Sequence, residues 1–233
     1  MFKGKEKSVR LSTMQMLAAG FLLVIVIGGI LLWLPVCNQE PIAFTDALFT
    51  STSAVCVTGL MTVVPATQFT LLGKVVLLVL IQIGGLGVVA VSTFFLVVIG
   101  RKITVKERVM IQETYNMESL SGMVKWILRI LKGTFVVEGI GAIFFAFQFI
   151  PEYGFLKGIW YSVFHSISAF CNAGIDILGA DSFAAYARNP LINLTTMILI
   201  VAGGIGYTVW FDITDNIRNF RKMGERRRGM FKI

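Results

Sequence analysis

Long apolar stretches alternate with basic segments along this chain. Four stretches approach the ~20 residues that a helix needs to cross a hydrocarbon core about 30 Å thick. Glu138 is the single acid among them, and they contain no lysine or arginine. They run from Leu11 to Gln39, from Val75 to Gly100, from Gly133 to Ile150 and from Leu191 to Phe211. The pattern predicts four transmembrane helices.

Two shorter apolar segments lie between these stretches and resemble each other. Ala47 to Gly59 reads ALFTSTSAVCVTG, and Ser162 to Gly174 reads SVFHSISAFCNAG. Each is too short to span a bilayer and ends in a run of small residues. A half-length helix followed by irregular backbone is tolerated at membrane depth only where it lines a cavity or is buried in protein. The repeated segment therefore indicates a pore.

A second similarity defines a repeat of the whole unit. Ile81 to Gly87 reads IQIGGLG and Ile200 to Gly206 reads IVAGGIG, an offset of 119 residues against 115 for the short segments. Two crossings per copy return the chain to the same side, so both copies enter the membrane from one side and are parallel. We expect an all-α integral membrane protein with two parallel helix–pore-loop–helix repeats. They span residues 11–100, with a pore loop at 44–60, and 125–215, with a pore loop at 158–175.

Composition and charge agree with this assignment. The chain of 233 residues is 56% hydrophobic and only 15% charged, too little charge to cover the surface of a soluble domain. Residues 1–10, 100–133 and 216–233 hold 18 of the 21 basic residues. Under the positive-inside rule, segments 1–10, 101–124 and 216–233 are cytoplasmic and the pore loops are reached from outside. The net charge of +8 is thus an orientation signal, and nucleic acid is not an expected partner.

The residues that follow each short helix are the candidate ion site. Backbone carbonyls turned toward an axis can replace the hydration shell of a potassium ion, and glycine allows the positive φ that this requires. The negative end of each short helix would face the same place and favour a cation. The predicted selectivity filter consists of Cys56, Val57, Thr58, Gly59, Cys171, Asn172, Ala173 and Gly174. No catalytic constellation or cofactor motif is present, so we expect no enzyme activity and potassium only as the transported substrate.

Several other polar or small residues have two interpretations each. The glycines at 84, 85, 87, 203, 204 and 206 favour close helix packing over a hinge or gate. Glu138 is either a functional acid or a hydrogen-bond partner between helices. Asp176 either concentrates cations at the outer mouth or is an ordinary loop carboxylate. We expect His165 to pack or hydrogen-bond within the repeat. Of the three cysteines, Cys56 and Cys171 occupy equivalent repeat positions in apolar context, which predicts buried thiols and no disulfide framework.

Four stretches together resemble the Ktr/Trk/HKT superfamily of cation transporters, most nearly the bacterial Ktr membrane subunit. They are FTDALFTSTSAVCVTGL, GKVVLLVLIQIGGLGVV, FHSISAFCNAG and VAGGIGYTVWFDI. The resemblance implies a potassium-channel-like fold with one filter glycine per repeat, at Gly59 and Gly174. Serine at the first of these positions goes with sodium preference in plant relatives, so Gly59 fits a potassium-permeable type. The resemblance also implies a cytosolic nucleotide-binding regulatory subunit as a partner.

Members of that superfamily carry four repeats, and this sequence contains two. Our leading hypothesis is potassium uptake across a bacterial plasma membrane by a channel-like subunit, surrounded by membrane lipid. A second copy of the chain, or a missing second half, would then complete the filter. One alternative is a truncated or split half with no independent transport, at most an assembly partner. A secondary transporter with re-entrant loops is disfavoured by the parallel repeat.

Overall fold

The computed structural model describes residues 13–87, 90–93, 123–206, 209–210, 213 and 216. The predicted cytoplasmic segment at 1–10 lies outside the described residues, as do nearly all of the predicted segments at 101–124 and 216–233. Seven α-helices are described: α1 (Thr13–Trp33), α2 (Phe44–Cys56), α3 (Pro65–Gln68), α4 (Leu71–Leu86), α5 (Met123–Tyr153), α6 (Phe155–Phe170) and α7 (Pro190–Gly204). Two 3₁₀ turns, Pro35–Cys37 and Ser182–Tyr186, complete the set. This part of the chain contains no strand, as predicted.

Two of the described helices are long and apolar enough to cross a membrane. They are Met14–Trp33 within α1 and Lys125–Tyr153 within α5, while Leu71–Leu86 and Pro190–Gly204 are shorter apolar helices. α5 begins at Met123, ten residues before the predicted start of its span. Leu22 and Phe147 are more than 60% exposed on α1 and α5, whereas Ser166 is fully buried. Large apolar side chains outside and polar ones inside suit a lipid environment.

The second predicted span of each unit is interrupted by a glycine. α4 ends at Leu86 and α7 at Gly204, although the apolar pattern predicts continuous helices to Gly100 and Phe211. Gly87 and Gly206, which are equivalent in the two units, have φ values of 82° and 87°. Such angles suit glycine and terminate a helix. Helical hydrogen bonding resumes beyond them, with N–H to O distances of 3.3 Å from Val91 to Gly87 and from Trp210 to Gly206.

The helices group into two units with the same order of elements. α1 packs against α2 and α4 in the first unit, and α5 packs against α6 and α7 in the second. The short helices α2 and α6 are largely buried among the others. The units meet where α4 contacts α6. The first unit therefore meets the short helix of the second unit through α4.

One serine in each short helix joins it to the preceding long helix. Ser51 Oγ donates to the carbonyl of Ile25 at 2.8 Å. Ser166 Oγ, at the equivalent position, donates to the carbonyl of Glu138 at 2.6 Å. Each serine packs against a glycine of the preceding helix, Gly28 or Gly141. A Cβ on either glycine would collide with the serine Oγ. The same hydrogen bond and the same small neighbour thus set the depth of both short helices.

We expect Ser51→Ala and Ser166→Ala each to lower the stability of the protein. Each change removes a buried bond between two helices, which costs on the order of 0.5–1.5 kcal/mol. Thermal unfolding in detergent, followed by size exclusion, measures the loss. The matched control is Thr52→Val, because Thr52 Oγ1 donates at 2.7 Å to Leu48 within its own helix. An equal loss in the control would contradict a bridging role for the serines.

Candidate functional site

The two short helices end in the same backbone geometry. Val57 follows α2 with φ 58°, and Asn172 follows α6 with φ 60°, both in the left-handed region. Two residues further on, Gly59 and Gly174 have φ values of 74° and 65°. A left-handed valine is rare because its branched Cβ crowds the backbone, and such outliers cost about 1–3 kcal/mol. Both segments therefore alternate in the same way between left-handed and other conformations.

A serine in the last turn of each helix holds the segment that follows. The N–H of Thr58 donates to Ser53 O at 3.0 Å, and that of Ala173 donates to Ser168 O at 2.8 Å. The side chains add a second connection. Thr58 Oγ1 donates to Ser53 Oγ at 2.9 Å. Ser168 Oγ donates to Ile175 O at 2.5 Å and accepts from Ile175 N at 3.1 Å. These bonds determine the path of both segments after the helix ends.

The two segments meet at their glycines. A Cβ added to Gly59 would lie 2.7 Å from Ala173 O and 3.7 Å from Gly174 Cα. A Cβ on Gly174 would lie 3.9 Å from Gly59 Cα, an ordinary contact distance. The structure therefore brings together the two glycines that the sequence singles out, and only the first has no room for a side chain.

The other predicted filter residues differ between the two segments. Cys56 and Thr58 are exposed, whereas Cys171 and Ala173 are buried. Cys171 packs against α4 of the first unit, where a Cβ on Gly85 would lie 2.6 Å from Cys171 Cβ. Cys56 is exposed, and no described residue packs on it in the same way. The prediction of buried thiols at both repeat positions is therefore wrong for Cys56, although all three cysteines are free.

The C-terminal ends of the two short helices place partial negative charge beside these segments. α2 ends at Cys56, directly before the left-handed Val57, and α6 ends at Phe170, two residues before the left-handed Asn172. Carbonyls in the last turn of a helix lack intrahelical partners, and the helix dipole adds partial negative charge there. Asn172 is exposed, and its Nδ2 donates to Phe170 O at 3.4 Å. The arrangement presents carbonyl oxygens and no cationic side chain among residues 56–59 and 171–174.

His165 and Asp176 lie near the second segment, and both border one cavity with Asn172 and Gly174. His165 Nδ1 is 2.6 Å from Tyr161 O, and its Nε2 accepts from Ile177 N at 3.4 Å. Both ring nitrogens are thus used, which bears out a hydrogen-bonding role within the repeat. Asp176 Oδ1 accepts from Leu178 N at 3.0 Å. The half-buried carboxylate borders an open cavity together with Gly59, Gly174 and Ser182.

The glycine runs pack against the backbone that precedes the segments. A Cβ on Gly84 would lie 2.9 Å from Val55 C, and one on Gly203 would lie 2.9 Å from Phe170 C. The carbonyl oxygens of Val55 and Phe170 would be closer still. Close packing is therefore confirmed for these two glycines. Gly87 and Gly206 have a separate role, because they interrupt the helices. The spacing of the glycines does not predict this role.

The left-handed residues and the serine bonds are what sequence reasoning missed. Glycine was expected to supply the positive φ, but Val57 and Asn172 have it too. The signal for the serines was present, since Ser51/Ser166 and Ser53/Ser168 are among the identities between the repeats. The described residues contain no group of three or more His, Cys, Asp or Glu able to hold a metal ion.

Comparison with known proteins identifies the family. The TrkH family, described as cation transport protein, matches residues 3–227. The chain is 45% identical over 211 residues to the potassium/sodium uptake protein NtpJ of Enterococcus hirae, covering 90% of this chain and 47% of that protein. It is 41% identical over 212 residues to the Ktr system potassium uptake protein B of Bacillus subtilis, covering 91% and 47%.

A third relative is the Ktr system potassium uptake protein B of Vibrio alginolyticus, 36% identical over 219 residues and covering 94% of this chain and 47% of that protein. The chain thus spans about half the length of these relatives. The family consists of cation transporters, which confirms both the resemblance and the expectation that the chain is not an enzyme. The chain belongs to the TrkH family of cation transport proteins.

Proposed function

We propose that this chain is a channel-like subunit for potassium uptake, of the Ktr/Trk type, in a bacterial plasma membrane. The observation that carries the proposal is the contact between Gly59 and Gly174 at the ends of two equivalent buried helices. The selectivity filter would be formed by the backbone carbonyls of residues 56–59 and 171–174. The names of three relatives, which refer to potassium or to potassium and sodium, support the ion.

Electrostatics supports a cation over an anion at this site. The C-terminal ends of α2 and α6 directly precede the two segments, and helix C-termini carry partial negative charge. A dehydrated potassium ion needs several oxygen ligands at once, which rings of backbone carbonyls supply. The positive φ at Gly59 and Gly174 gives the backbone the sharp changes of direction that such a ring requires.

Two segments line one side of a pore, so the proposal includes an assembly. The exposed Cys56 marks a side of the first segment that no described residue covers. We infer that further filter segments complete the pore, either from a second copy of this chain or from a second half. The name "Ktr system" carried by two relatives supports additional components. A cytosolic nucleotide-binding subunit is the partner that the family resemblance implies.

Orientation follows from the charge pattern. The clustering of lysine and arginine in 1–10, 100–133 and 216–233 favours cytoplasmic termini and a cytoplasmic central loop. The parallel helix–pore-loop–helix repeats would then open their pore loops to the outside. Asp176, at the border of the outer cavity, would add negative charge where cations enter.

Transport is tested by expressing the chain in a bacterium that lacks its own potassium uptake systems. We expect growth at low external potassium, and rubidium uptake by proteoliposomes made from the purified assembly. Potassium should compete with rubidium more strongly than sodium does, because carbonyl ligands without bound water suit the larger ion. Normal membrane insertion without uptake would contradict the proposal and favour a half that does not transport independently.

A further inference from the structure

A buried acid lies at the junction between the two units. Glu138, on α5, is 4% exposed and is the one buried acid among the residues that the structure describes. Gln82, on α4 of the first unit, donates from Nε2 to Glu138 Oε1 at 3.0 Å. An acid within a membrane-spanning helix is expensive to bury and is a candidate for function. The pair connects a long helix of one unit to a long helix of the other.

Glu138 also contacts the start of the second filter segment. Cys171 Sγ lies 4.0 Å from Glu138 Oε1, at the distance of a thiol hydrogen bond to oxygen. The carbonyl of Glu138 accepts the Ser166 hydrogen bond that fixes α6. Gly85, one turn beyond Gln82, provides the surface on which Cys171 packs. One residue therefore holds α4, α6 and the first residue of segment 171–174 together.

The pseudo-symmetry shows that the scaffold itself does not need this acid. Ile25 occupies the position of Glu138 in the first unit, and its carbonyl accepts Ser51 in the same way. Val201 occupies the position of Gln82 in the second unit. The helix-to-helix bond is thus made equally well with apolar side chains. The Gln82–Glu138 pair is an addition confined to one junction, next to the one filter cysteine that is buried.

The pair is also incompletely satisfied within the protein. Glu138 Oε2 and Gln82 Oε1 are buried and have no hydrogen-bond partner among the described residues. Buried polar atoms without partners are costly and rare. Replacing a buried polar pair by well-packed apolar side chains of similar volume is often neutral or stabilising. The cost indicates a role beyond holding the fold.

We propose that Glu138 and Gln82 are positioning residues that set the place of segment 171–174 against segment 56–59 and thereby the potassium selectivity of the pore. This inference rests on the proposed function. The carboxylate contacts the side chain of Cys171 and fixes its position. The positions of the backbone carbonyls that follow depend on it. Among the described residues no acid takes this place beside the first segment, where Ile25 occupies the position of Glu138.

Selectivity measurements test the pair directly. In proteoliposomes, we expect Glu138→Ala and Gln82→Ala each to lower the ratio of potassium to sodium uptake by roughly tenfold, the scale of one lost hydrogen bond to a charged group. The half-saturating potassium concentration should rise more than the maximal rate falls. The double variant should be no worse than the more damaged single variant. Glu138→Gln retains an acceptor oxygen and should restore most of the ratio.

Glu152→Gln is the matched control on the same helix. Gln148 Nε2 donates to Glu152 Oε2 at 3.3 Å, the same pair of groups at an exposed position away from the filter. We expect its selectivity to equal that of the unmodified chain. An unchanged ratio in Glu138→Ala, additive effects of the two alanines, or equal damage in Glu138→Gln would each overturn the positioning role.

A second measurement does not depend on transport. In a Cys37→Ser, Cys56→Ser background, Cys171 is the remaining thiol, and a membrane-permeant maleimide reports its accessibility. We expect slow labelling with Glu138 present and clearly faster labelling in Glu138→Ala at a temperature where both remain folded. Equal labelling rates would overturn the inference. Absence of uptake in the unmodified chain would instead contradict the proposed function, so the two failures are distinguishable.

Discussion

Replacing Gly59 with aspartate is expected to abolish potassium-dependent growth and rubidium uptake. The backbone at Gly59 has φ 74°, which costs a residue with a Cβ about 1–2 kcal/mol. The new Cβ would also lie 2.7 Å from Ala173 O, closer than real Cβ atoms come to a carbonyl. The second segment would have to move, and a carboxylate at the filter would trap the cation instead of passing it. Uptake in proteoliposomes, normalised to inserted protein, measures the effect.

Three alanine variants separate backbone strain from the collision. Gly154 has φ 80° with nothing within 4 Å of an added Cβ, so Gly154→Ala carries strain alone, outside the filter. Gly174→Ala adds an ordinary contact at 3.9 Å, and Gly59→Ala adds the collision with Ala173 O. We expect uptake to fall in that order, with near-normal uptake for Gly154→Ala. Equal uptake in all three variants would refute the filter contact.

The second large effect is expected from Gly203→Ala. The added Cβ would collide with the carbonyl oxygen of Phe170, the last residue of α6, and would lie 2.9 Å from its carbonyl carbon. Backbone atoms cannot move aside as the end of a flexible side chain can. The helices α6 and α7 must therefore move apart. Overpacking of this kind costs about 1–3 kcal/mol or more. Thermal unfolding in detergent should show a markedly lower midpoint than for the unmodified chain.

The control for this variant changes stability in the opposite direction. Gly139 lies in α5 with nothing within 4 Å of an added Cβ. Alanine is favoured over glycine inside a helix, so Gly139→Ala should be neutral or stabilising by up to about 1 kcal/mol. Gly84→Ala, at the equivalent position against Val55, should resemble Gly203→Ala. A neutral Gly203→Ala would contradict the close packing at the end of α6.

The short helices could be predicted because their signal is repeated. Phe49, Ser51, Ser53 and Cys56 have identical counterparts 115 residues later, and chance does not produce such a pattern between two spans. The stretches before them are apolar on all sides, which predicts that they lie in the membrane. They must then be helical, since lipid offers the backbone polar groups no hydrogen-bond partner. Helix type and order were therefore readable from residue pattern alone.

The breaks in the second spans could not be predicted in the same way. Gly87 and Gly206 follow Gly84 and Gly203 in runs that are apolar throughout. Glycine tolerates both helical and left-handed backbone, so hydropathy gives no indication of which one ends the helix. Contacts decide it, because Gly84 and Gly203 are held against the backbone of the short helices. Gly206, three residues after Gly203, has nothing within 4 Å of an added Cβ.

The amino-acid sequence by itself determined a helical membrane protein with two related units, each containing a short helix before a glycine. These features depend on local hydropathy, length and repetition, which one chain displays directly. Only the tertiary structure decided that Gly59 meets Gly174, that Cys171 is buried and Cys56 exposed, and that Glu138 contacts Cys171. Those facts arise from contacts between the units, and equivalent positions in a repeat acquire different neighbours once the units pack.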